Sequence, residues 1–352
     1  MKKHEPDFAL NRPGALIAAL PAVLGFVPEN SLVLVTLEEG ALGSVMRADL
    51  SEDLANRVEH LAEVAAAADP ESVIAVIIDA EGAHCPVCNE KYRQLCAVLD
   101  AALEGHHIVL WAAHVVDRIA VGGQWHCVDN CGSAGTVEDP SASPLAVAAV
   151  LDGRRLYRRR ADLQAVVAVD DPRRSAGLAA AIGQRVAARE IAHSADPAGC
   201  SRRDVEAAMA AAARVADGQP LSDGELAQLA CALPDVRVRD TLYALAVGEN
   251  AGEAESLWVQ LSRVLPQPWR VEALVLLAFS AYVRGDGPLT GIALEAALRC
   301  DPEHRMAGML DTALQSGLRP NDIRDLADTG YRLAKQIGVR LPPRRAFGRQ
   351  AG

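Results

Sequence analysis

The sequence predicts an α/β amino-terminal domain with a mixed sheet, followed by an all-α domain, either degenerate tetratricopeptide-like or a bundle. Three observations carry this. Apolar strand-like runs at 32–37, 73–78 and 108–116 alternate with helical periodicity up to about residue 150. Beyond Asp171 the strand signals stop, and capping residues and Ala-rich stretches follow one another. Half of the 352 residues are hydrophobic but only 4% are aromatic, so Ala, Val and Leu must fill the core, which favours closely approaching helices. The boundaries fall at 1–152 for the α/β domain, 153–170 for an Arg-rich connector, 171–336 for the helical domain and 337–352 for a tail expected to be disordered.

Pro13 opens a short helix with Leu16, Ile17, Leu20 and Leu24 on one face, and Gly25 suits its stop. Pro21 is expected to kink or divide it, because an interior proline removes a hydrogen bond. Leu32–Leu37 is apolar on both faces except for Thr36, as in a central strand covered on two sides. A loop at Glu38-Glu39-Gly40 leads into a half-exposed strand, 42–50. Ser51 reads as the cap of a helix with Leu54, Val58, Leu61 and Ala65 inward, ended by Asp69-Pro70. After strand 73–78, Asn89 reads as the cap of a helix with Leu95, Cys96, Leu99 and Leu103 inward, and Gly105 closes it ahead of strand 108–116. Helical crossovers make the sheet largely parallel, with the opening hairpin as its antiparallel member.

Gly122-Gly123 looks like a two-residue hairpin turn that would bring Cys127 opposite Arg118. On that register Cys85 and Cys88, in His-Cys-Pro-Val-Cys, meet Cys127 and Cys131, in His-Cys-Val-Asp-Asn-Cys, at the sheet's carboxyl edge. Four thiolates there have the donor chemistry of one structural Zn²⁺ clip. The alternative is four ordinary or oxidation-sensitive thiols. Cys96, Cys200, Cys231 and Cys300 lie in helical patterns and read as small core residues.

Pro21-x-x-Leu-Gly-Phe-x-Pro-x-x-Ser-Leu-Val33 resembles the opening signature of an uncharacterised, mostly actinobacterial family, a domain of unknown function. The likeness continues at Asp49-Leu50, Trp125, Ser143-Pro144, Arg284-Gly285-Asp286-Gly287 and Asp301-Pro302. It implies a shared fold over most of the chain and little about activity, and it does not extend to Cys85 and Cys88.

Asp79, Asp117 and Arg118 lie at or just past strand ends, where open α/β sheets bind ligands. With Glu29, Asn30 and Ser31 they form a candidate polar pocket, against the plainer reading that strand ends meet solvent there. No phosphate-binding glycine loop follows a strand, and Gly-x-Ser-x-Gly is absent. Arg154, Arg155, Arg158, Arg159 and Arg160 are a candidate anion grip, or a solvated face paired with the protein's own carboxylates.

In the second half, Asp171-Pro172 opens a helix reaching about His193, and Ser201/Asp204 and Ser222/Glu225 have capping-box spacing. Leu277, Ala278, Leu294, Ala297 and Pro302, the turn Gly285-Asp286, and Pro268 one 34-residue period before Pro302 resemble a tetratricopeptide helix pair. Such pairs stack to form partner-binding surfaces.

The net charge of −11 argues against nucleic-acid wrapping. No run reaches the ~20 uninterrupted apolar residues of a membrane span. Acidic Glu5 and Asp7 and the internal Pro21 argue against a secretory signal at 15–27, and the cysteine layout suits a reducing cytoplasm. The expected function is non-enzymatic binding or scaffolding of an unknown protein partner by the helical half. A ligand site or enzyme at the sheet edge, and a zinc- or thiol-based sensor, are the alternatives.

Overall fold

The computed structural model describes residues 12–345 other than 39, 68, 152 and 153. The chain divides into two compact units: residues up to Leu163 with Gln315–Gly317, and Gln164–Leu314 with the residues from Leu318 onward. The junction falls inside the expected connector, so its arginines belong to the first unit.

In the first unit the described strands are β1 (Ser31–Glu38), β2 (Ala41–Asp49), β3 (Ser72–Ile78), β4 (Val109–Val116), β5 (Gln124–Cys127) and β6 (Ala134–Thr136), in the order β2-β1-β3-β4-β5-β6. Only β3 and β4 are parallel neighbours, and β1 runs antiparallel to both β2 and β3. Every residue from Ser31 to Leu37 is buried. The lone polar side chain among the apolar ones, Thr36, accepts a hydrogen bond from the Ser44 amide of β2 at 2.7 Å, so its burial costs little.

One sheet face, with Leu32, Leu34, Val73, Ala75, Ile77 and Val115, packs with Val58, Ala62 and Ala65 of α2 (Val58–Ala66) and Cys96, Leu99 and Leu103 of α3 (Pro86–Glu104). The opposite face, with Val33, Val35, Ile74 and Val76, is equally buried. This is the two-sided cover that the unbroken apolar strands require.

Helix α1 (Pro13–Leu24) runs undivided through Pro21, contrary to expectation, and Gly25 stops it at φ 75° with its amide on the Pro21 carbonyl at 2.8 Å. A Cβ on Gly14 would overlap the Thr136 carbonyl oxygen, so α1 can start hard against β6 only with glycine there. Ser51 is not a helix cap: the chain first turns through a short 3-10 segment, Leu54–Arg57. Asn89 is not the start of α3, because Cys85 is the N-cap and Pro86 takes the first turn.

The hairpin register also differs from expectation. Seven residues separate β4 from β5, and Trp125 pairs with Val116, His126 with Val115 and Cys127 with His114. Cys127 is thus four positions further from the carboxyl edge than the two-residue turn implied, about 13 Å along a strand. The wider loop is fastened by Asp117, whose carboxylate takes the Gln124 amide at 2.8 Å.

In the second unit, α6 (Pro172–Ala195) is capped by Asp171 and α8 (Asp223–Ala232) carries the full Ser222/Glu225 capping box, both as expected. α7 (Pro197–Ala216) begins earlier than Ser201, capped by Asp196 ahead of Pro197, and Ser201 bonds back to the Pro197 carbonyl. α9 (Val236–Leu242), α10 (Ala251–Val264), α11 (Arg270–Arg284) and α12 (Gly287–Cys300) follow. Each residue from Val271 to Val283 except Glu272 is buried, so α11 is the axis around which the neighbouring helices pack. Gly285 at φ 83° and the Asp286 cap on the Leu289 amide make the turn into α12. The start of the expected tail is ordered: Arg345 donates its amide to the Val247 carbonyl at 2.9 Å, and Pro343 accepts from Glu249 at 3.0 Å.

Candidate functional site

Parallel β3 and β4 end at one edge of the sheet, and antiparallel β1 begins there, with Ser31 paired to Ile78. That register brings Ser31, Asp79 and Asp117 to a single edge, as the sequence suggested.

Asp79 leaves β3 and curls the loop: one carboxylate oxygen accepts from the Glu81 and Gly82 amides at 3.0 and 2.9 Å, the other from the Tyr92 hydroxyl. Burial works against its charge, but the Tyr92 hydroxyl and the two amides outweigh it and hold the carboxyl below its usual value. Burial, then Asp79, push the Tyr92 phenol up. Gly82 is required, since a Cβ there would overlap both partners.

Buried Asp117 accepts from the Arg118 and Gln124 amides at 2.6 and 2.8 Å, pairs with the Arg118 guanidinium at 2.7 Å, and lies 4.0 Å from His84 Nε2. Ser31 donates to the Glu29 carbonyl at 2.6 Å and accepts from Arg47 Nε at 2.8 Å, while Arg47 also pairs with Asp49. Glu29 and Asn30 are exposed, with Asn30 in the left-handed region at φ 44° and its carbonyl on the Leu50 amide. Of the six expected ligand residues, Ser31, Asp79, Asp117 and Arg118 are therefore engaged in holding the loops.

Cys85 caps α3, and Asn89 fastens the loop by donating to the Ala83 and Cys85 carbonyls at 3.0 and 2.9 Å. With its amide nitrogen so used, the Asn89 oxygen accepts from His126 Nε2 at 2.8 Å, which ties α3 to β5. The four cysteines form two dithiols. The Cys88 amide and thiol lower the Cys85 pKa, and the Cys85 thiol raises that of Cys88. In the second pair burial raises Cys127, and the Ser133 amide and the Cys127 thiol lower Cys131. Cys127 lies near Cys96, a buried thiol that burial pushes up to about 12. Among the described residues no group of three His, Cys, Asp or Glu side chains is placed to hold a metal ion.

Tyr92, His84, His126 and Arg47 belong to the site without having been expected there, and Asn89 was expected only as a helix cap. Only the two histidines, each preceding a cysteine, gave any signal in the sequence.

His114, on β4 beside Trp125 (ring centroids 5.2 Å apart, edge to face), is buried with Nδ1 unpartnered, and burial pushes its pKa down to about 4. Arg155, Arg158 and Arg159 are exposed, Arg154 is half-buried, and Arg160 opens the short helix Arg160–Gln164. Tyr157 anchors this run to the end of α1, donating its amide to the Gly25 carbonyl at 2.7 Å and accepting from Val27.

Two clefts among the described residues of the helical unit bear on function. One, of about 460 Å³, is lined by Val186, Arg189, His193, Pro234, Asp235 and Trp269 among others. In its floor Arg189 bridges Asp204 and Asp235 at 2.9 and 2.7 Å. The other, of about 440 Å³, lies along α11 and α12.

The fold is thus a mixed α/β unit joined to a helical unit centred on a buried helix. The model of a family described as a domain of unknown function, DUF4192, matches residues 13–321. The chain belongs to that family. No curated protein and no solved structure matches. Among the described residues no helix is long and apolar enough to cross a membrane.

Proposed function

We propose that the protein acts by binding a protein partner, with the helical unit as the partner-binding half. The observation that carries this is the cleft floored by Arg189, Asp204 and Asp235. Its Arg189 is paired with Asp235 and Asp204, its walls include Val186, Pro234 and Trp269, and the residues following Glu190 and Asp235 of its lining, Ile191 and Val236, are exposed apolar side chains. A concave surface with an internally paired floor and apolar walls suits an apolar segment of another protein. The sheet edge supports a ligand or catalytic site less well, because its carboxylates already serve the loops.

Affinity capture with the wild-type chain and with Val236→Glu tests this. Val236 is the first residue of α9, where an acidic side chain suits the helix dipole, so the variant should melt like the wild type. The expected outcome is a partner that recurs with the wild type and falls at least about tenfold with the variant. Absence of any recurring partner would end the reading.

A second reading is a thiol- or zinc-based sensor, favoured by the arrangement of Cys85 with Cys88 and of Cys127 with Cys131 as facing pairs. Metal content and free thiols would be counted on protein purified without chelators or affinity-tag metal. Stoichiometric zinc lost in Cys88→Ser supports it, whereas folded, metal-free protein whose thiols survive mild oxidant removes it.

A further inference from the structure

The cleft along α11 and α12 contains a cation without a counter-charge. Arg270 lines it, together with Val167, Gln267, Ile292, Ala296, Arg299 and Glu295, the last paired with Arg299 at 2.9 Å. The Arg270 guanidinium gives one hydrogen bond, from Nη2 to the Val167 carbonyl at 2.7 Å; Nε is sealed from solvent with no acceptor. Among the described residues no carboxylate forms an ion pair with it; Glu295 of the same lining is held by Arg299. Burial and the neighbouring Arg299 both push its pKa down, and only the Cys300 thiol opposes them.

Three other half-buried arginines of this unit each face carboxylates. Arg189 faces Asp204 and Asp235, Arg239 faces Asp240 and Glu272, and Arg284 faces Glu255 and Asp286. Removing a guanidinium from water without a paired anion is unfavourable, and proteins tolerate it where a ligand completes the pair. Arg299 brings a second positive charge to the rim, 66% exposed and held by Glu295 at 2.9 Å. Val167, Ile292 and Ala296 supply an apolar stretch of the wall beside the polar Gln164 and Gln267.

We propose that this cleft binds a small amphipathic oxyanion, its carboxylate or phosphate on Arg270 and its hydrocarbon body against Ile292, Ala296 and Val167. A cleft of about 440 Å³ has room for a short chain or a small ring. Arg299 attracts the ligand from the rim and contributes less once it is bound, because Glu295 already shares its charge. This site is separate from the partner surface proposed above and stands or falls independently of it.

Thermal shift and calorimetry on the full chain test the assignment, with hexanoate, hexyl phosphate, inorganic phosphate and hexanol as probes. Hexanoate or hexyl phosphate should raise the melting temperature by at least about 2 °C at saturation. Which of the two binds more tightly separates a carboxylate from a phosphate ligand. Hexanol, without charge, and inorganic phosphate, without a hydrocarbon body, should bind at least tenfold more weakly. Arg270→Met, which keeps the bulk and removes the charge, should abolish the shift. Ala168→Trp is the second variant, since Ala168 is exposed and lines the cleft; it should block binding without touching α11. The assignment is overturned if neither amphipathic anion binds at millimolar concentration, if hexanol binds as well as they do, or if whichever variant folds retains wild-type affinity.

Discussion

The two units are held in register by different forces. In the α/β unit the backbone ladder aligns the strands, and two of its carboxylates act locally: Asp79 serves Glu81, Gly82 and Tyr92, and Asp117 serves Arg118 and Gln124. In the helical unit polar side chains join distant segments. Arg189 ties α6 to Asp204 of α7 and to Asp235, Arg239 ties α9 to Glu272 of α11, and Arg284 ties α11 to Glu255 of α10. A helix satisfies its backbone internally, so nothing in its hydrogen bonding says where its neighbour must sit. Half-buried ion pairs between helices supply that information, because a slip in register leaves a charge unpaired. Arg270, whose charge meets no carboxylate, is informative against this background.

If the comparison is right, the largest effect comes from breaking an interhelical network. Arg284→Met removes the cation that Glu255 and Asp286 share, with Asp286 also buried as the cap of α12. The expected cost is about 3–5 kcal/mol. Urea unfolding measures it, and hydrogen exchange should place the loss in α10–α12 while β1 and β3 stay protected.

A smaller, pH-dependent effect belongs to the α/β unit. His114 has a folded pKa of about 4 against 6.5 for the free side chain. The unfolded chain therefore takes up a proton first as pH falls, and stability is lost progressively between about 6.5 and 4. Linkage puts the loss from pH 7 to pH 5 at about 2 kcal/mol. In His114→Leu that part of the pH dependence should disappear; an unchanged slope would show that the ring is solvated.

The smallest effect is expected at the loop after β3. Tyr92→Phe removes one hydroxyl from Asp79, at a cost of about 1 kcal/mol, and should raise the Asp79 pKa. A lowered carboxyl pKa stabilises only above its unfolded value, so the gap between variant and wild type should close as pH falls below about 3.8. An NMR titration of the Asp79 carboxyl would follow it. A loss as large as that of Arg284→Met would mean that the edge loops, too, fix the register of their unit.

Much of the fold was legible because its causes are local. The unbroken apolar run from Leu32 announces a covered strand whatever surrounds it. Asp171-Pro172 and Ser222 with Glu225 carry their own capping chemistry, and the turn at Gly285-Asp286 needs a left-handed residue followed by a cap. The errors also have local causes. Two start signals competed at Asp196 and Ser201 and at Pro86 and Asn89, and in each case the proline-marked start won.

The site was less legible. The sequence correctly placed Ser31, Asp79 and Asp117 on one edge, because strand direction alone decides that. It could not show that their hydrogen bonds are already used, since Tyr92 and Gln124 reach them only through folded loops. The hairpin was not legible either: seven residues, not two, join β4 to β5, so Cys127 pairs with His114, further down its strand than a two-residue turn would place it.

By itself, then, the sequence determined the succession of strands and helices, the split into an α/β and a helical half, and the membership of a family whose model spans residues 13–321. Those properties depend on periodicity, capping and turn chemistry within a few residues. Only the tertiary structure decided which charges found partners. Arg284 and Arg270 are both arginines at the ends of one helix, indistinguishable by local pattern, yet one meets two carboxylates and the other none. Electrostatic pairing depends on distances between segments far apart in the chain, and packing alone sets them.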